Sequence, residues 1–412
     1  MTAEYCMIGG FLGAGKTTAL LQLARLLTAQ GRRVGLVTND QSHGLADTAL
    51  LTAHGFPVEE ISGGCFCCRF DSLTQALERL KQRADPDVIL AEPVGSCTDL
   101  RATVQYPLLQ LYGERYRVGP LSVLVDPLRA LRILGHASGR PFSPKVLYVY
   151  QKQLEEADLI VINKCDLLDD GRLNELEAAL RDLYPAAEIL RVSASEATGL
   201  DAWLAALSGA AAVPAPPEVD YDTYAEGEAL LGWLNGDIRI SRAAPFDGNR
   251  FLLDLARHVR HTLAAEGIEI AHCKLALVRE SGSPEIAVLN LVATNAEPDL
   301  PFAMKEPLTT GSLVVNLRAE SAPESLHRAV EAALSAADPA GEIRRLDYFR
   351  PARPQPTHRL THPAGQRPGL RPAPVLLKRQ EGVPSPTSQK IPPHGERHRL
   401  KSVLPEHFRG IV

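Results

Sequence analysis

Gly10-Phe11-Leu12-Gly13-Ala14-Gly15-Lys16-Thr17 completes a G-x4-G-K-[ST] pattern. The apolar run Tyr5–Ile8 precedes it, and Leu20, Leu21 and Leu23 follow at helical spacing. Strand, glycine-rich turn and helix together are the setting in which this pattern wraps a phosphate. Glycines let the backbone wind with its N–H groups pointing inward, and the helix start adds partial positive charge. Gly10, Gly13, Ala14, Gly15 and Thr18 then belong to the phosphate cradle. Lys16 reaches the β- and γ-phosphates, and the Thr17 hydroxyl ligates Mg²⁺.

Outward from this loop, residues 4–208 alternate short apolar runs with helical patterns. The runs are Tyr5–Ile8, Val34–Thr38, Val88–Ala91, Leu121–Val125, Leu159–Ile162 and Ile189–Val192. Unbroken and rich in β-branched residues, they read as buried strands of a parallel sheet. The expected fold is α/β: a P-loop NTPase with a doubly wound, mostly parallel sheet over residues 1–208. Residues 209–219 are an Ala/Pro linker, and residues 220–350 read as a smaller α+β domain. Its helices are expected near Asn249–Ala265 and Ala322–Ala336, the latter after a capping pattern, Ser321-Ala322-Pro323-Glu324. Residues 351–412 hold 12 prolines and few aromatics, the composition of a disordered tail.

The chain has 412 residues and a net charge of −5. The tail carries 11 Lys and Arg against three Glu, so the rest of the chain is acidic, which argues against nucleic-acid binding. No apolar run is long enough for a membrane span, and no signal-peptide pattern opens the chain, so the cytoplasm is expected. Seven cysteines in so long a chain do not suggest a disulfide scaffold.

Asn163-Lys164-Cys165-Asp166 closes the fifth apolar run. An N-K-x-D turn in such a fold reads guanine: the Asp166 carboxylate accepts from the base N1–H and exocyclic amine, a donor pair adenine lacks. Ser193-Ala194, after the next run, can offer a backbone N–H to the base. Val88-Ile89-Leu90-Ala91-Glu92-Pro93-Val94-Gly95 is a buried strand ending in an acid. Glu92 is placed to hold the Mg²⁺ shell or orient water, and the Gly95 N–H to sense a γ-phosphate. Asn39, Asp40, His43 and Asp47 lie where a first switch loop would lie.

Gly63-Gly64-Cys65-Phe66-Cys67-Cys68 brings three thiols into four residues. Thiolates suit Zn²⁺, Cu(I) or Co²⁺ far better than Mg²⁺. A structural zinc site needs four protein ligands, so either a remote fourth ligand or an open position is implied; Cys97 and His43 are candidates. A redox pair and inert burial are the competing readings. Cys6, Cys165 and Cys273 read as ordinary buried residues. The tail pairs His358/His362 and His394/His398 are spaced for auxiliary metal capture, but among prolines they read more simply as a solvated segment.

Gly10–Thr18, Asp40, Asp47, the C-x-C-C run Cys65–Cys68, Glu92–Gly95, Asn163–Asp166 and Ser193-Ala194 together resemble the P-loop GTPases with Glu in the third motif. That group also holds the nickel-insertion GTPases. Within it, C-x-C-C resembles the CobW-like, or cobalamin-synthesis-protein, branch. The resemblance covers about residues 4–208. It implies a GTPase that binds Zn²⁺ or Co²⁺ at Cys65, Cys67 and Cys68 and passes the ion to a client metalloenzyme or other acceptor. Lys16, Thr17, Glu92 and Gly95 are then the hydrolytic residues, with Thr17 and Glu92 holding Mg²⁺, and GTP/GDP is the nucleotide. The first switch reads Asn39-Asp40-Gln41-Ser42 where the family usually has N-E-F-G, and the third motif has Pro93-Val94 where it usually has T-S. The alternatives are a regulatory GTPase switch with a structural or redox-active cysteine cluster, a metal store, and a basic-tail adaptor. A homodimer is compatible with the family; a membrane or nucleic-acid partner is not expected.

Overall fold

The computed structural model describes residues 2–41, 46–140, 142–209, 214–280, 285–337 and 341–361. Eight strands form the first sheet: β1 (Ala3–Gly10), β2 (Val34–Asn39), β3 (Val58–Ile61), β4 (Val88–Glu92), β5 (Tyr116–Val118), β6 (Ser122–Val125), β7 (Leu159–Ile162) and β8 (Glu188–Arg191). Seven run in the order β3-β2-β4-β1-β6-β7-β8, and β5 pairs with the start of β1. Every pairing is parallel. The chain builds β2–β4 on one side of β1 and β6–β8 on the other. Such a reversal opens a crevice at the carboxyl ends of the strands, and the glycine loop leaves β1 there.

The helices here are α1 (Lys16–Ala29), α2 (Ala46–Ala53), α3 (Phe70–Ala84), α4 (Tyr106–Tyr112), α5 (Pro127–Ile133), α6 (Pro144–Glu155), α7 (Asp170–Leu183) and α8 (Leu200–Leu207). Tyr5 and Met7 of β1 enter a core with Leu73 of α3 and Val146 of α6. Cys6 and Ile8 point the other way, into a core with Leu20 of α1 and Trp203 of α8. Burial on both faces explains why β1 reads as an unbroken apolar run. Helix α3 buries Leu73, Ala76, Leu77 and Leu80, one stripe at helical spacing, with Asp71 in its first turn and Lys81 and Arg83 in its last.

Helix α9 (Tyr221–Leu230) leads into the second sheet, made of β9 (Leu231–Phe246), β10 (Ile270–Arg279), β11 (Ile286–Leu291), β12 (Asp299–Phe302), β13 (Leu308–Glu320) and β14 (Glu342–Phe349). Its order is β12-β11-β10-β13-β9-β14, antiparallel throughout. Helices α10 (Gly248–Ala265) and α11 (Pro323–Ala337) pack on one face. Alternation decides which residues they cover. Cys273, Leu275 and Leu277 of β10 and Leu313, Val315 and Leu317 of β13 enter the helix-covered core. Each fully buried leucine there contributes about 1.5–3 kcal/mol. The intervening residues face the first sheet's domain: Ala276 and Val288 pack on Ala46 and Leu50 of α2.

The sequence reading did not contain β3, β5, β12 or α9. The first three are short, β3 is half-buried along most of its length and β12 alternates exposed with half-buried residues, so no apolar run marks them. Residues 351–361 depart from the expected free tail: they lie against the α/β domain, held by backbone N–H groups between the prolines. Residues 362–412, with His362, His394 and His398, lie outside the described residues, as do His43 and residues 210–213 of the linker. No helix among the described residues is long and apolar enough to cross a membrane.

Candidate functional site

The glycine loop and the N-K-x-D turn meet side by side. Asn163 Nδ2 donates to Ala14 O at 2.8 Å, and Lys164 Nζ donates to Gly13 O at 2.8 Å. Lys164 also pairs with Asp126 at 2.8 Å. Gly15 has φ +89°, and a Cβ there would stand 2.4 Å from Asn163 Nδ2, so both its backbone angle and the approach require glycine. Gly10, at φ +129°, faces Leu124 backbone atoms where a Cβ would clash. Lys16 Nζ donates to Gly10 O at 2.9 Å.

These residues open onto a cleft of about 920 Å³. Gly13, Gly15, Lys16, Thr17, Thr18, Glu92, Gly95, Asn163, Lys164, Asp166 and Ala194 line it. Gly10, Ala14 and Ser193 stand behind it, acting through backbone contacts. The expected N–H contact from Ser193-Ala194 needs revision: Ser193 N donates to Thr198 O at 3.1 Å, and Ala194 N to Asn163 Oδ1 at 3.1 Å. Both donors are therefore spent on holding the turn. Asp166 is exposed at the rim, its carboxylate open to a ligand.

Hard oxygen donors converge at the phosphate end. Thr17 Oγ1 donates to Asp47, and lies 3.3 Å from Glu92 Oε1. Glu92 Oε2 is buried with no hydrogen-bond partner among the described residues. Burial, with Asp47 nearby, pushes the Glu92 carboxyl up to about 7. An orphaned carboxylate oxygen beside a hydroxyl and a second acid fits Mg²⁺ chemistry. Thr17, Glu92 and Asp47 would hold the ion.

The second sheet supplies the rest of this wall, which the sequence reading missed. Lys274 Nζ of β10 donates to Thr17 Oγ1 at 3.0 Å and pairs with Asp47. Burial alone would raise Asp47, but Lys274 holds it down at about 2. Arg318 of β13 pairs with Asp40 at 2.9 Å, donates to Leu234 O at 2.8 Å, and stacks over Trp233 with 3.9 Å to the ring centroid. Asn316 Oδ1 accepts from Ala46 N at 3.0 Å. Asp40, placed by the sequence in the first switch loop, is thus met by an arginine in this structure. The available signal was a charged residue inside each apolar run, Lys274 and Arg318, on the alternate that avoids the helices.

Cys65, Cys67 and Cys68 converge as a single cluster. Their sulfurs are 2.6 Å (Cys65–Cys67), 3.2 Å (Cys65–Cys68) and 3.7 Å (Cys67–Cys68) apart. Gly63 and Gly64 reach the cluster at φ +77° and +151°, the left-handed region. The cluster ends where α3 begins, so its thiols lie near a helix N-terminus, which favours thiolate. Donation from the Cys67 and Cys68 thiols pulls Cys65 well below its usual range. Asn39 joins this loop to the end of β2: its Nδ2 donates to Ile61 O at 2.9 Å and Gly64 O at 2.8 Å, and its Oδ1 accepts from Phe66 N at 2.9 Å. Cys6 and Cys273 are buried as expected, whereas Cys165 is only half-buried.

Residues 351–361 run across the cluster. Gln355 N donates to Cys68 Sγ at 3.1 Å, and Thr357 N to Cys67 O at 3.0 Å. Arg359 pairs with buried Asp99 at 2.7 Å, and the His358 ring lies 4.8 Å from that of Phe70. His358 is thereby placed beside α3.

Phosphate loop, guanine-type turn and oxygen-lined cation position define a P-loop nucleotide-binding protein. Residues 4–191 match the CobW/HypB/UreG nucleotide-binding domain, and this part of the chain is similar to CobW-like P-loop GTPases. A protein named zinc chaperone CobW, from Sinorhizobium sp, is 31% identical over 201 residues, covering 43% of this chain and 53% of that protein. One named zinc chaperone YeiR, from Escherichia coli (strain K12), is 34% identical over 167 residues, covering 39% and 46%. One named zinc-regulated GTPase metalloprotein activator 1, from Dictyostelium discoideum, is 24% identical over 215 residues, covering 45% and 44%. The chain spans about half the length of these relatives.

Proposed function

We propose that this protein is a metallochaperone that hydrolyses GTP to GDP and phosphate and carries Zn²⁺, or the similar ion Co²⁺, to a client metalloprotein. The observation that carries the reading is Asn39, which ties the β2 end of the nucleotide cleft to the cysteine loop through two hydrogen bonds, to Gly64 O and from Phe66 N, and to the end of β3 through a third. A metal site bonded to a switch segment can exchange free energy with the nucleotide. The names of the relatives, zinc chaperones and a zinc-regulated activator, support zinc as cargo.

Asp166 selects guanine by accepting two base N–H groups. Lys16 leaves Gly10 O and turns to the phosphates, and the loop amides stabilise charge on the transferring phosphoryl group. Mg²⁺, when bound by Thr17 and Glu92, offsets phosphate charge. The Glu92 carboxyl orients water, and the Gly95 N–H registers the γ-phosphate. Client recognition falls to surfaces outside the cleft.

The test is Zn²⁺ affinity by chelator competition with Mg²⁺·GTP and with Mg²⁺·GDP. The reading expects a difference of tenfold or more, a coupling of about 1.4 kcal/mol. Equal affinities, with GTP still hydrolysed when Cys65, Cys67 and Cys68 are each replaced by Ser, would instead describe a GTPase switch with a structural ion.

A further inference from the structure

Cys97 is 1% exposed, and its thiol lies against those of Cys65 and Cys67. It comes from another part of the chain, the turn after β4, two residues past Gly95. That turn is fixed. Cys97 N donates to Val94 O at 3.0 Å, Gln153 Nε2 donates to Gly95 O at 2.9 Å and to Cys97 O at 2.8 Å, and Thr98 N donates to Tyr224 Oη at 3.3 Å. The thiol is therefore delivered to the cluster by a braced backbone.

A tetrahedral ion with metal–sulfur bonds of about 2.3 Å has sulfur–sulfur edges of about 3.8 Å. The three loop sulfurs, 2.6–3.7 Å apart, converge more closely than such edges, so an ion would spread them into one face of a tetrahedron. A fourth donor completes it. The strap of residues 351–361 presents the Gln355 N–H to Cys68 Sγ, and an N–H cannot ligate. Glu228 is buried nearby, but its Oε1 already accepts from Ser96 Oγ at 2.6 Å. Cys97 is the further soft donor at the cluster: it meets the Cys65 and Cys67 thiols, outside the group that Cys65, Cys67 and Cys68 form within 4.8 Å of one another, so ligation would draw its sulfur toward Cys68.

We propose that Cys97 is the fourth ligand of the cysteine cluster, which takes one thiophilic divalent ion in an all-thiolate tetrahedral site. The proposal rests on the metal-carrying reading above and deepens it. Three ligands come from the loop fastened by Asn39, and the fourth from the turn that carries Gly95. Four thiolates select Zn²⁺ or Co²⁺ over hard cations. The ion then bridges the two segments that face a nucleotide, so displacing Gly95 moves one ligand of four.

X-ray absorption of the full-length Zn²⁺-loaded protein counts the sulfur scatterers. Thiolate-to-metal charge transfer in the Co²⁺-loaded protein and chelator competition read the same question in Cys97→Ser. The expected results are four sulfurs in the natural protein, and in Cys97→Ser a weaker charge-transfer band with affinity lower by roughly a hundredfold. Thermal unfolding checks that the variant is folded; if it is not, the sulfur count of the natural protein decides alone. Three sulfurs plus one light atom, or a Cys97→Ser variant with unchanged affinity and spectrum, overturns the proposal while leaving the metal-carrying reading intact. Loss of affinity in Glu228→Gln alone would give the fourth position to the carboxylate. A natural protein that binds neither ion overturns both.

Discussion

Lys274 Nζ, in the middle of β10, donates a 3.0 Å hydrogen bond to Thr17 Oγ1, a partner 257 positions earlier in the chain. The same ammonium pairs with Asp47. The second sheet thus places a positive charge among the oxygens proposed to hold Mg²⁺. Lys274 is 7% exposed and the Asp47 side chain 23%, so removing Lys274 leaves a half-buried carboxylate with the Thr17 hydroxyl as its partner. Breaking one side of a fully buried pair costs about 3–5 kcal/mol, and this half-buried pair is expected to cost less. Lys274→Met is expected to lower the thermal midpoint of the nucleotide-free protein by this mechanism. The deficit should shrink when Mg²⁺·GDP is added, because the divalent ion then supplies the missing charge. Scanning calorimetry with and without Mg²⁺·GDP measures both numbers. Equal deficits in the two states would show that Lys274 and the divalent ion act independently.

Asp166 lines the cleft and is proposed to take the guanine edge. Asp166→Asn replaces an acceptor oxygen with a donor amide, opposite a base that offers only donors there. GTP affinity is expected to fall by about a hundredfold, because one base N–H loses its acceptor and meets a donor instead. Xanthine carries a carbonyl where guanine carries the amine, so xanthosine triphosphate should bind the variant better than GTP does. Competition against a fluorescent nucleotide gives the ratio. A variant that still prefers GTP would remove Asp166 from the base site.

The parallel sheet was legible because both faces of its strands are buried, which leaves unbroken apolar runs such as Tyr5–Ile8. The phosphate loop and the N-K-x-D turn were legible because each is a local pattern with a local geometry. Lys274, Asn316 and Arg318 were not. They act at the cleft only because the second sheet turns its other face to it, and alternation along a strand does not say what that face meets. Asp40 read as a switch acid, yet Arg318 claims it from 278 positions away. The strap failed for a related reason: proline content predicts a chain that cannot bury itself, and says nothing of a chain that lays its backbone donors on another surface.

Glu156 gives the protein a pH dependence of calculable sign. Its carboxylate accepts from Arg101 N at 3.0 Å and Thr98 Oγ1 at 3.2 Å, beneath the turn that carries Cys97. Burial, aided by Asp99 and opposed by the Arg101 contacts, raises it from the usual 4.5 to about 8. A raised acid binds its proton more tightly folded than unfolded. Its contribution is fully present below about pH 4.5 and is lost as pH rises toward about 8, at up to about 1.4 kcal/mol per pH unit. Glu156→Gln should therefore flatten the decline in stability over that window and gain relative to the natural protein at its alkaline end. Urea unfolding at several pH values checks this. Parallel curves for the two proteins would mean that Glu156 is not the titrating group.

Arg359 anchors the strap through Asp99, which is fully buried, and Gln355 N meets Cys68 Sγ only four residues before it. Arg359→Ala should release the crossing segment and expose the cluster. Zn²⁺ transfer to a competing chelator is expected to become several-fold faster, with less change in equilibrium affinity, since the strap adds an N–H to one sulfur but no ligand. The buried Asp99 carboxylate then keeps the Tyr221 Oη hydrogen bond but loses its charged partner, at a cost of about 1–3 kcal/mol of stability, so Asp99→Asn with Arg359→Ala serves as the balanced control. Unchanged transfer rates in both would show that the strap does not limit access.

Asn39 is the narrowest bridge between cleft and cluster. Its amide makes three hydrogen bonds, to Ile61 O at the end of β3, to Gly64 O of the loop and from Phe66 N. Asn39→Ser cannot span the same three groups. At about 1 kcal/mol each, the lost bonds loosen the loop without removing a thiol. If the bridge carries the coupling, the ratio of Zn²⁺ affinities between the GTP and GDP states should fall toward one in this variant. Both absolute affinities should stay far closer to the natural values than in Cys67→Ser. Direct coupling through the ion itself, held at once by the loop and by the Cys97 turn, predicts the opposite. The ratio would then survive Asn39→Ser and vanish in Cys97→Ser. Measuring both variants in both nucleotide states separates a mechanical link through the amide from one that exists only while the metal is bound.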